Sequence, residues 1–112
     1  MNEEVLKKVE ELSNNIKESE SYLKYKELKE QVGKNHDIIE LINDIKALQK
    51  KAVRETSKGK DVKKIDLEIK KKVDTLNEIP LYKELEYARE DLDNMLQTTK
   101  TIIENYINSK TN

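Results

Sequence analysis

The sequence predicts an all-α protein, an elongated antiparallel helical bundle that ends in a long C-terminal helix. Three observations lead there. Apolar residues recur at spacings of three and four from one end to the other, and no window alternates strictly as a half-buried strand would. The 112 residues include only two Gly and one Pro, so few positions can interrupt a helix. Charged residues make up 40% and apolar ones 35%, the balance of well-solvated helices, and the length suits a single domain over residues 1–112.

The first helix is expected over about 2–17, where Val5, Leu6, Val9, Leu12 and Ile16 form one stripe. Ser19, Glu20 and Ser21 then supply hydroxyls able to accept from the free amides of a second helix, about 20–32. That helix carries Tyr22, Tyr25, Leu28 and Val32, up to Gly33, which is expected to close it in left-handed geometry. Asp37, with Glu40 three residues on, is expected to cap a third helix over about 37–57. Its stripe is Ile38, Leu41, Ile45, Leu48 and Ala52, widened by Ile42 and Val53.

Lys58-Gly59-Lys60 breaks the pattern, and Asp61 offers the N-cap of a fourth helix, about 61–78, with Val62, Ile65, Ile69, Val73 and Leu76 along one side. The third and fourth helices would form an antiparallel hairpin. Pro80 has no amide to donate and biases Ile79 away from helical torsions, so a break belongs there. Beyond it Leu81, Leu85, Ala88, Leu92, Met95, Thr99, Ile102 and Tyr106 hold a four-three spacing without a further Gly or Pro. A fifth helix over about 81–109 would be ~44 Å long at 1.5 Å per residue. A compact domain of this size has a radius of gyration of only ~13 Å, so the helix outgrows the globule. Leu85, Leu92, Leu96, Ile103 and Ile107 are therefore expected at an oligomer interface.

Composition removes most chemistry. The absence of cysteine excludes disulfides, thiolate metal sites and cysteine nucleophiles. A lone histidine, His36, cannot build a two-histidine metal site or the paired Glu-x-x-His of a di-iron bundle, and it is expected in a loop beside Asp37. No cofactor, no metal and no catalysis are expected. The tyrosines at 22, 25, 82 and 87 read as core residues with hydroxyls at the rim. No apolar stretch approaches the ~20 residues that cross a bilayer, and Asn2-Glu3-Glu4 lacks the basic start of a secretory signal. The cytoplasm is the expected location.

Net charge is close to zero, but its distribution is not even. Residues 46–72 hold 11 basic and 4 acidic side chains, whereas the segments on either side are each net −4. Lys50, Lys51 and Arg54 fall at the end of the third helix, where cations complement the dipole. Lys58, Lys60, Lys63 and Lys64 continue into the start of the fourth, where the dipole opposes them, and this basic tip is the expected partner-binding surface. It would contact an acidic protein or, alternatively, RNA phosphates. No aromatic residue lies between positions 26 and 81, so base stacking by the tip is excluded.

The stretch from Ile42 to Val53, INDIKALQKKAV, followed by Glu78-Ile79-Pro80 and the long last helix, resembles the YlbF/YmcA family of small helical regulators, most closely its YmcA branch. The likeness runs from about Val5 to Ile107, and the Ser-Glu-Ser-x-x-x-Tyr opening of the second helix is a weaker cue. It implies a non-enzymatic subunit that associates with YlbF-like and YaaT-like partners, in a complex affecting RNase Y-dependent mRNA processing, biofilm formation, competence and sporulation. Members of the YmcA branch often carry cysteines implicated in iron–sulfur binding; this sequence has none to offer.

Overall fold

A computed structural model describes residues 2–111, with side chains through Lys110. Five helices account for nearly all of them: α1 (Glu3–Glu18), α2 (Glu20–Lys34), α3 (His36–Ser57), α4 (Lys63–Asn77) and α5 (Pro80–Thr111), with no strand among the described residues. At 32 residues α5 is the longest, about 48 Å.

The connections are short because single side chains serve both helix ends. Ser19 ends α1 and starts α2: its hydroxyl donates to the Ile16 carbonyl at 2.6 Å and accepts from the Tyr22 amide at 3.2 Å. Asn35 does the same between α2 and α3, its side-chain oxygen accepting from the Ile38 amide at 3.0 Å while its own amide donates to the Val32 carbonyl. The cap of α3 is thus Asn35 and not Asp37, which sits inside the first turn where its charge favours the positive end of the dipole. His36 is correspondingly the first residue of the helix, not part of a loop, with its Nε2 3.8 Å from Glu40. Gly33 does not close α2 in left-handed geometry; it is helical, and the turn is made by Asn35 instead.

Gly59 is the one described residue with a positive φ, +73°. Its amide donates to the Thr56 carbonyl and that of Lys60 to the Glu55 carbonyl, each at 3.0 Å, the paired closure of a Schellman motif. The Lys60 ammonium, 3.4 Å from the Glu55 carboxylate, reinforces it. Asp61 accepts from the Lys63 amide at 3.0 Å, so it serves the start of α4 from two residues outside it, and the helix begins at Lys63 rather than 61. At the far end of α4, Pro80 becomes the first residue of α5, a position whose amide would have no intrahelical acceptor, and the Ile79 carbonyl accepts from Lys83.

These two glycines are expected to respond oppositely to alanine. Gly33 has open space where a Cβ would stand, so Gly33→Ala should gain ~0.5–1 kcal/mol. Gly59→Ala should lose ~1–2 kcal/mol from the left-handed backbone alone. Chemical denaturation of the two variants measures both.

The chain divides into two compact units. In residues 29–85, α3 and α4 form the antiparallel hairpin, tied across by Asp44 and Lys72 at 3.6 Å. Lys72 is therefore an ion-pair partner, whereas Lys70 and Lys71 stay on the solvated face. Ile38, fully buried, lies with Ile45, Leu76, Val32 and Leu85 in the buried set of this unit. Toward the turn Leu48, Ala52, Ile65 and Ile69 are only half-buried, because two helices cover just one side of each other.

The other unit comprises residues 2–28 with 86–111. Here α1 runs antiparallel to the end of α5: Glu4 lies 3.2 Å from Lys110, and the ammonium groups of Lys8 and Lys110 stand 6.0 and 5.5 Å from the Tyr106 ring centre. The hydrogen bond from Lys110 to Glu4, and the carboxylate charge behind it, hold the Lys110 ammonium above the ordinary lysine pKa. Val5, Leu28, Ala88 and Leu92 are the buried residues of this unit.

Candidate interaction surfaces

Two surfaces stand out. No group of three His, Asp or Glu among the described residues is placed to hold a metal. Among the described residues no helix is long and apolar enough to cross a membrane.

The first surface is the four-three seam of α5. Its covering changes along its length. Leu85 and Leu92, expected at an oligomer interface, are buried by the chain itself and have no surface left for a partner. Further along, Leu96 is 45% exposed and Ile102 41%, while Ile103, Tyr106 and Ile107 are half-covered. Leu6 of α1 and Leu23 of α2, in the same unit, are about half exposed as well. The reason is geometric: a single 16-residue helix, about 24 Å long, shields one side of its neighbour and leaves the flank bare. Of the five expected interface residues, Leu96, Ile103 and Ile107 keep accessible surface, and the seam residue Ile102 joins them.

The second surface is basic. The expected tip residues are all exposed. Lys60 is engaged with Glu55, Lys51 falls about 100° around the helix from Lys50, and Lys58 is the C-cap of α3. Lys46, Lys50 and Arg54 recur every four residues along one face of α3, a row about 12 Å long. With Gln49 and Val53 they line a shallow, open trough of about 550 Å³. Val53 does not widen the core seam as expected; it is 71% exposed on this outer face. The position explains it: Val53 follows Ala52 by one residue, about 100° around the helix, and so leaves the seam that Ala52 joins. Lys46 belongs to the row through the four-residue repeat, and Gln49 stands beside it four residues before Val53, a signal already present in the spacing. Lys63 and Lys64 open α4, where Asp61 and Asp66 supply compensating negative charge near the helix start.

Among the aromatics, Tyr22, Tyr25 and Tyr82 are half-buried, as core residues with wet rims would be. Tyr87 departs from that expectation. It is 66% exposed because the seam of α5 passes through Leu85 and Ala88, and residue 87 falls outside it.

The described residues define the class of small all-α proteins built from five helices, with burial along helix seams. The model of the family described as control of competence regulator ComK, YlbF/YmcA, matches residues 5–108, and the chain belongs to this family. Among its relatives is YmcA of Bacillus subtilis (strain 168), 26% identical over 109 residues, which cover 96% of this chain and 76% of the relative. A regulatory role in the control of competence is the function that this membership supports.

Proposed function

We propose that the protein is a non-enzymatic adaptor of the cytoplasm that regulates by association, self-associating and docking other helical proteins through the exposed flank of α5. The observation that carries this reading is the fading cover of one continuous seam: Leu92 is buried, whereas Leu96 and Ile102 on the same helix are not. Water in contact with such a strip disfavours it by roughly 25 cal/mol per Å² of apolar surface, and a partner helix removes that contact. Charged residues beside the strip, including Lys100 paired with Glu104 at 4.0 Å, would set register and reject mismatched partners.

The partners proposed are YlbF-like and YaaT-like proteins, in a complex that modulates RNase Y-dependent mRNA processing and, through it, biofilm formation, competence and sporulation. Family membership and likeness to YmcA support this reading. Replacing Leu96 and Ile102 together with aspartate is expected to cut both self-association and co-purification of these partners by at least about tenfold, a loss of ~1.4 kcal/mol or more. Unchanged sedimentation and unchanged co-purification of the double variant would sink the proposal.

A further inference from the structure

The basic row on α3 has a counterpart in the same chain. On α5, Tyr87 stands exposed with Glu84 three residues before it and Glu90 and Asp91 three and four after it. These spacings place all four side chains on one face, about 10 Å long. Lys83 sits at one end of the face, which remains net negative. None of the three carboxylates is ion-paired among the described residues; the neighbouring Glu86 is held by Arg89 at 3.2 Å on another side. On α3, no carboxylate comes within 4.0 Å of Lys46, Lys50 or Arg54 among the described residues, and no acidic residue interrupts the helix between positions 45 and 54.

Each face therefore has the same plan with opposite sign. One carries three cations around an exposed valine, the other three carboxylates around an exposed tyrosine. The two rows also agree in length, about 12 Å against about 10 Å. We propose that the outer face of α3 is the docking site for α5 of a second copy of this chain. Tyr87 would seat beside Val53 in the trough, and Glu84, Glu90 and Asp91 would meet Lys46, Lys50 and Arg54. The tyrosine ring offers its face to a lysine or arginine cation there, and Val53 loses its contact with water. A nucleic acid fits less well: phosphates leave Val53 exposed, and α3 and α4 carry no Phe, Tyr or Trp on which a base could stack.

This contact rests on the self-association proposed above and adds a second, electrostatic step to it. Salt separates the two, because exposed charge pairs are screened at high ionic strength while apolar contacts persist. The test is sedimentation of the full chain at about 0.05 M and about 0.5 M salt, for the wild type, for Lys50→Glu with Arg54→Glu, and for Glu90→Lys with Asp91→Lys. All four positions are exposed, and circular dichroism checks that each variant keeps its helices. The wild type is expected to show a salt-sensitive association step, which each charge-reversed variant weakens at least about tenfold. Mixing the two variants should restore it, since each then offers the sign that the other lacks. Absence of a salt-sensitive step, its persistence in either variant, or failure of the mixture to restore it would overturn the proposal. So would RNA retention on filters that disappears with Lys50→Glu and Arg54→Glu while sedimentation stays the same. Loss of the salt-resistant step alone would count against the α5 flank and leave this contact standing.

Discussion

Replacing Ile38 with alanine is expected to cost ~2–5 kcal/mol of stability, the range found when a fully buried branched side chain is truncated and its cavity stays open. Among the described residues Ile38 is the one large side chain wholly removed from solvent. It occupies the first turn of α3, and its amide is held by the Asn35 side chain at 3.0 Å, so the helix start cannot shift to fill the space. A protein of this size has about 5–15 kcal/mol of total stability, and the variant would therefore unfold at a visibly lower urea concentration. Val53→Ala on the same helix removes an exposed group and is expected to change stability by less than ~0.5 kcal/mol. If denaturation curves of the two variants coincide, the burial described for the hairpin is wrong.

Truncating Leu92 and Leu96 separately should divide the seam of α5 into its two parts. Leu92→Ala is expected to lose ~2–5 kcal/mol of stability at any protein concentration, since the chain itself buries the side chain. Leu96→Ala removes a side chain that is nearly half exposed, and should cost under ~1 kcal/mol in dilute protein. Its effect should grow with concentration, because association contributes to apparent stability by mass action. Thermal melts over a hundredfold range of concentration read both outcomes. Equal, concentration-independent losses would mean that the seam serves one protomer throughout.

The places where helices begin and end show what local chemistry could and could not decide. Pro80 at the start of α5 and Gly59 at the end of α3 act as their covalent structures require, and both breaks were visible in the spacing. The start of α3 was harder. Asn35 and Asp37 are both good caps two residues apart, and Gly33 nearby is a plausible stop. The outcome turned on Ile38, whose burial fixes the rotation of the helix and so selects the cap three residues before it.

The same limit applies to the surfaces. Basic charge between residues 46 and 72 was plain from composition, yet its division into a free row on α3 and a Lys60 already engaged with Glu55 depends on which way each helix turns. Val53 and Tyr87 each stand one residue from a seam position, and at that offset hydrophobicity alone does not distinguish core from surface.

By itself the sequence determined that this protein is helical, that it has five helices with breaks near 18–19, 33–36, 58–60 and 79–80, and that it offers no residues for cysteine or two-histidine chemistry. Those properties follow from periodicity, capping and residue type, which act over a few residues. Tertiary structure decided which turns of α5 the chain covers, and so why Leu85 and Leu92 are core while Leu96 and Ile102 face water. A repeat of apolar residues specifies that a helix has a side to bury; only the number and length of the helices beside it specify how much of that side is buried.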